Sequence, residues 1–192
     1  MELIDKVREI VIEACKNSSF SREDYETHTG VVERLSFKLA KELKADEEIV
    51  HLSALLHDIG RITKLGEKDH EKTSAEETEK ILNELNVDKN IISKVKECIL
   101  AHRHSDPTIP ELLEARILKI ADAWAHFINP IGMVCFRVKL DHGINEAVKW
   151  AKDEKLKRDL DFLERMNKEM DIKNVVADCK RRYECFILLS EE

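Results

Sequence analysis

The run Ile49-Val50-His51-Leu52-Ser53-Ala54-Leu55-Leu56 is apolar along nearly its whole length, and it ends on His57-Asp58-Ile59-Gly60-Arg61. A stretch this apolar has to bury itself, so it carries an imidazole and a carboxylate to the edge of a core. Holding both groups in apolar surroundings is costly unless each finds a partner. A bound metal ion removes that cost, because both groups become ligands. A frayed helix end facing water removes it too. The doublet alone favours the frayed end; the rest of the chain reverses that preference.

Further histidines and aspartates stand where ligands are wanted. His28 lies in Tyr25-Glu26-Thr27-His28-Thr29-Gly30, ahead of the amphipathic run Val31 to Ala40. Asp122 interrupts Ile117-Leu118-Lys119-Ile120-Ala121-Asp122-Ala123-Trp124, where a lone carboxylate is out of place. His70 follows a short loop after the doublet, and His102 and His104 close a later helix.

Apolar periodicity at helical spacing runs through most of the chain. It predicts helices over 2–16, 30–43 (with Val31, Leu35 and Leu39 inward), from Asp46 to a stop at Gly60, from an Asp69 cap to about 85, around 91–100, and over 112–127. Ser21 is read as an N-cap, 62–68 as a loop, Pro110 as part of a first helical turn, and Asn129-Pro130 as a stop. Residues 144–170 read as one or two surface helices and 171–189 as a shorter one. Only 5 Gly and 3 Pro among 192 residues argue against a turn-rich β fold. The expected fold is all-α: one helical bundle spanning 1–192 as a single domain.

The order of these residues resembles the HD-domain superfamily of metal-dependent phosphohydrolases. Its pattern is a His, a His-Asp doublet and a distant Asp, matched here by His28, His57, Asp58 and Asp122. The setting Leu55-Leu56-His57-Asp58-Ile59-Gly60 is close to the family's typical form. The resemblance covers about residues 25–128, leaving 129–192 as a C-terminal helical extension packed on the core. It implies an HD-type bundle with those four residues as metal ligands.

The same resemblance implies hydrolysis of a phosphate ester or anhydride, of a nucleotide or related small molecule, by a metal-bound hydroxide. Two imidazoles and two carboxylates suit Mn²⁺, Fe²⁺, Co²⁺ or Ni²⁺ better than Mg²⁺, which prefers oxygen ligands. Asp58 is the residue to bridge a second ion. His70, His102 and His104 are candidates either to hold that ion or to bind phosphate. Arg61 is the candidate to clamp a phosphate. Arg103, Arg116, Lys119 and Arg137 read as solvated charges before phosphate ligands, and Lys64 and Lys68 as long-shot tail contacts. His51 reads as a core histidine and His142 as an exposed turn residue; His126 shares a helical face with Asp122, but it is set aside with them, an orienting role being the lesser reading. Trp124 and Phe127 read as core residues.

Two rival readings stay open: a metal-bound nucleotide sensor without turnover, and a di-iron oxygenase of the same fold. The formal net charge of -7, with no long basic run, argues against an extended nucleic-acid surface. No secretory signal and no membrane span are expected. Five scattered cysteines without a Cys-x-x-Cys pair suit reduced thiols in a cytoplasmic protein. A small phosphorylated substrate and a homo-oligomer are the expected partners.

Overall fold

Helices account for all the regular secondary structure in the computed structural model, which describes residues 2–18, 25–64, 69–103, 106 and 108–190. In chain order they are α1 (Leu3–Lys16), a widened π-turn (Tyr25–Thr29) leading into α2 (Gly30–Leu43), α3 (Glu47–Leu56), α4 (Ile59–Lys64), α5 (His70–Glu84), α6 (Lys89–Ala101) and α7 (Leu113–Ile128). Then follow α8 (Pro130–Lys139), α9 (Ile144–Trp150), a second π-turn (Ala151–Lys155), α10 (Leu156–Glu169) and α11 (Lys173–Leu189). The chain divides into two compact units, Met1–Ala121 and Asp122–Glu192, with α7 running through the boundary.

The first unit is built around α3. Asp46 caps it, its carboxylate accepting from the backbone N–H groups of Glu48 and Ile49. Glu47 and Glu48 favour the positive end of the helix dipole. Ile49, Val50, Leu52, Ala54, Leu55 and Leu56 are all buried, because α1, α2 and α6 pack around this helix. Each large aliphatic side chain contributes roughly 2 kcal/mol by leaving water, enough in sum to carry a few polar groups inside with it. α1 adds Val7, Val11 and Cys15, one stripe at four-residue spacing. On α2, Val31, Val32, Ser36, Leu39 and Ala40 are buried, with Leu35 half-buried rather than inward.

Three expectations about helix ends are corrected. Gly60 does not stop a helix: α3 ends at Leu56, α4 begins at Ile59, and no glycine among the described residues takes a positive φ. What Gly60 provides is close approach. A Cβ there would lie 2.4 Å from the Ser74 backbone nitrogen and 2.7 Å from the Thr73 carbonyl carbon. Its own N–H donates to Ser74 Oγ at 3.0 Å. The segment 62–64 is therefore helix, not loop. Asp69 precedes α5 in the left-handed conformation (φ 58°), and its side chain caps nothing. Pro110 lies before α7 rather than in its first turn.

In the second unit, Asn129-Pro130 stops α7 and at once starts α8, since Asn129 Oδ1 accepts from the Gly132 N–H and Pro130 supplies the fixed φ of a first helical position. The π-turn Ala151–Lys155 packs with α8, α9, α10 and α11. α11 lies within the expected 171–189. Ser21 lies outside the described residues. No described helix is long and apolar enough to cross a membrane.

Because the contact at Gly60 is with backbone, Gly60→Ala should lower unfolding stability by roughly 1–3 kcal/mol, the range for overpacking. Urea denaturation checks this, and an unchanged midpoint would contradict the close approach.

Candidate metal centre

Five elements of the first unit deliver their side chains to one point. His57 is the residue after α3, and the Asp58 carbonyl accepts from the Ile62 N–H, so the doublet sits in the joint between α3 and α4. Arg61 is on α4, His70 opens α5, and His102 ends α6. His28 comes from the π-turn ahead of α2. Such turns break regular helical bonding and often mark functional positions.

Asp58 is the hub, and its two oxygens face different imidazole pairs. Oδ2 lies 3.7 Å from Nε2 of His28 and 3.7 Å from Nε2 of His57. Oδ1 lies 3.5 Å from Nε2 of His70 and 3.9 Å from Nε2 of His102. Within each pair the nitrogens approach closely: 3.3 Å between His28 and His57, and 3.2 Å between His70 and His102. Two nitrogens bound at right angles to one ion, each about 2.1 Å from it, lie about 3 Å apart. Both pairs have that spacing.

Ring orientation is set from outside the cluster. His57 Nδ1 donates to the Ala54 carbonyl at 2.8 Å and His102 Nδ1 to the Ile99 carbonyl at 2.5 Å. Each therefore turns Nε2 inward, the nitrogen left for a metal. Two ring nitrogens about 3.2 Å apart need one cation or one shared hydrogen between them.

Asp58 Oδ1 decides in favour of a cation. It is buried and accepts no hydrogen bond among the described residues. Burial pushes the Asp58 carboxyl up, but Arg61, His57, His70 and His28 outweigh it and hold the group well below the usual carboxylate range. A buried, ionised oxygen without a donor is a costly group, and a divalent cation satisfies it. The residues fit a metal. Within the first unit, two overlapping groups have the reach to hold ions, His28–His57–Asp58 and Asp58–His70–His102.

Arg61 borders this cluster. Its Nη1 donates to Asp58 Oδ2 at 3.3 Å, and its Nη2 lies 3.1 Å from the His70 ring nitrogens. Arg61 and His28 are the more open members, with side chains 23% and 29% exposed, so solvent meets the cluster on their side. Glu71 is a member that sequence reasoning missed. It stands 3.8 Å from His70 Nδ1 and accepts from Arg103 at 3.2 Å. Its only signal was adjacency to His70.

Lys119 requires a correction. It is not a solvated charge but is 1% exposed, with Nζ donating to the backbone carbonyls of Asp106 (2.9 Å) and Thr108 (3.0 Å). Arg116 likewise bonds backbone, at the Pro110 carbonyl. His51 is half-buried against Phe37, with Nδ1 3.2 Å from Glu33 Oε1. His104 and Lys68 lie outside the described residues, and Lys64 closes α4.

Asp122 lies on α7 in the second unit, buried, with Oδ1 3.7 Å from His126 Nε2. Burial, then Lys155, pushes the His126 imidazole down to about 4, against the opposing pull of Asp122 and Asp159. Trp124 and Phe127 are buried, and the Trp124 indole donates to Asp178 at 2.9 Å. Arg137 lies over the Trp150 ring, and His142 pairs with Glu146 at 2.9 Å.

The HD-domain family pattern matches residues 25–125, so the chain belongs to the HD-domain family. It has the fold of a solved HD-superfamily hydrolase from Bacillus thuringiensis, with a TM-score of 0.66 at 15% identity, over 98% of this chain and 93% of that one. A predicted HD-superfamily hydrolase from an uncultured Thermotogales bacterium is 26% identical, with a TM-score of 0.55, over 86% of this chain and 91% of that one. No curated protein matches the chain.

Behind the π-turn that carries His28 lies a buried polar network. Glu33 accepts from Arg8 (2.7 Å) and meets His51 (3.2 Å) and the Tyr25 hydroxyl (3.5 Å). Burial raises the Glu33 carboxyl, but hydrogen bonds from His51 and Arg8 prevail and leave it lowered. A carboxyl lowered on folding stabilises above its ordinary value of 4.5 and loses that contribution as the pH falls. Glu33→Ala should cost roughly 2 kcal/mol at pH 7, as expected for charge-assisted hydrogen bonds. Denaturation at several pH values should show the gap from the unmodified protein shrinking in acid; a gap independent of pH would contradict this role.

Proposed function

We propose that the chain is a metal-dependent phosphohydrolase that cleaves a phosphate ester or anhydride of a small phosphorylated molecule, most simply a nucleotide. The observation that carries this reading is the buried Asp58 carboxylate, whose two oxygens face two separate imidazole pairs. His28, His57 and Asp58 hold one divalent transition-metal ion, with Asp122 as its further ligand on the strength of the family's sequence pattern. Asp58, His70 and His102 would hold a second, with Asp58 shared between the two groups.

Bound divalent ions would supply Lewis-acid polarisation of a phosphoryl oxygen and a water acidic enough to give hydroxide near neutral pH. The chain's own residues prepare for this. The Ala54 and Ile99 carbonyls keep His57 and His102 turned inward. Asp58 stays ionised and so presents negative charge to both positions. Arg61, on the open side, offers a planar guanidinium to a phosphate, and its contacts with Asp58 and His70 hold it in place. Five cysteines without a disulfide suit a cytoplasmic setting.

Release of phosphate and pyrophosphate from a nucleotide panel, with added Mn²⁺, Co²⁺, Ni²⁺ or Mg²⁺, tests the reading. Turnover should require metal and be abolished in Asp58→Ala, with helical content kept. Failure to release either product with any metal would overturn it. Iron content with oxygen consumption would then favour the oxygenase.

Mn²⁺ binding should show two ions per chain, falling to one in His102→Ala. An unchanged stoichiometry in that variant would remove the second position.

A further inference from the structure

α5 and α6 pack as an antiparallel hairpin joined by residues 85–88, and His70 and His102 stand at its open end. Ion pairs cross the hairpin at two levels among the described residues. Glu79 meets Lys96 in the middle, and Glu71 meets Arg103 at the open end. Arg103 Nη1 lies 3.2 Å from each Glu71 carboxylate oxygen and 3.9 Å from Asp69 Oδ1. The residue after His102 thus engages the residues on both sides of His70.

That end needs a tie. Nε2 of His70 and Nε2 of His102 lie 3.2 Å apart, and both face Asp58 Oδ1. A small splay of the two helices there would part them. The apolar grip of α5 is weakest at the same end. Its buried residues are His70, Ser74, Ala75, Thr78 and Leu82, so its first half offers small side chains and its large aliphatic one lies near the joint. The Asp69 side chain does not cap the first turn either. Stability alone does not account for the pair, since the Arg103 side chain is 36% exposed and partly solvated ion pairs contribute little. Glu71, by contrast, is carried to 12% exposure beside His70. A carboxylate that far inside, held by a guanidinium from the other helix, fixes a distance.

We propose that Arg103 is a positioning residue: by pairing with Glu71 and Asp69 it clasps the open end of the α5–α6 hairpin and keeps His70 and His102 close enough to share one divalent cation beside Asp58 Oδ1. This rests on the reading of Asp58, His70 and His102 as a cation position. The Glu79–Lys96 pair joins the same two helices away from the histidines and has no such role.

Titration of the full chain with Mn²⁺ alone tests this. Arg103→Met and Glu71→Gln should each weaken one of the two ions about 10- to 100-fold, the usual effect of losing a ligand's supporting contact, and leave the other unchanged. The double variant should lose no more than Arg103→Met, because both changes break one pair. Lys96→Met, which breaks the other pair of the same hairpin, should bind both ions as the unmodified protein does. Glu71→Gln keeps the shape of the side chain, so it decides the matter if Arg103→Met does not fold. Unchanged affinity for both ions in these variants, beside loss of one ion in His102→Ala, would overturn the clasp alone. So would equal weakening of both ions, additive losses in the double variant, or the same loss in Lys96→Met. One ion in the unmodified protein, or two retained in His102→Ala, would overturn the second cation position beneath it.

Discussion

A carboxylate kept ionised inside a protein needs positive charge on every side it presents. Asp58 has that need at the joint between α3 and α4, and much of the first unit's construction serves it. The apolar length of α3 carries the doublet inward. α4 turns Arg61 back onto Oδ2, and the glycine contact at Gly60 brings α5 near enough to bring His70 to Oδ1. α6 brings His102, and the π-turn before α2 brings His28. The imidazoles cannot fully satisfy the carboxylate alone, since Oδ1 accepts no hydrogen bond among the described residues. A divalent cation would complete the arrangement with the groups already in place.

The parts that were legible in the sequence are those in which one residue's chemistry determines local structure. Asp46 before Glu47-Glu48 predicted the start of α3, and the carboxylate caps it. The apolar run predicted its burial. His57 and Asp58 were picked out as groups an apolar helix end does not tolerate without partners, and His28, His70 and His102 as further histidines able to supply ligands; all five converge in the first unit. Arg61 was marked by position alone and lies against Asp58 and His70.

What was not legible depends on neighbours far away in sequence. Gly60 looked like a helix terminator because glycine often is one, but its role is set by Thr73 and Ser74. Lys119 looked like a surface charge because most lysines are; two loop carbonyls keep it inside. Lys155 and Asp159 were lost in a strongly charged stretch, where nothing separates a buried pair from a solvated i,i+4 pair until α7 supplies His126. Glu33 was hidden in the same way within an amphipathic helix, its partners Arg8, Tyr25 and His51 being scattered over three other segments.

The central claim is that Asp58 bridges two cation positions, each bounded by a pair of imidazoles. Anomalous diffraction at the manganese edge, from crystals grown with Mn²⁺, tests it most directly. The account predicts two peaks flanking Asp58, one within coordination distance of Nε2 of His28 and His57, the other of Nε2 of His70 and His102. A refined structure with no peak at Asp58, and with each imidazole pair still in direct nitrogen–nitrogen contact, would contradict it.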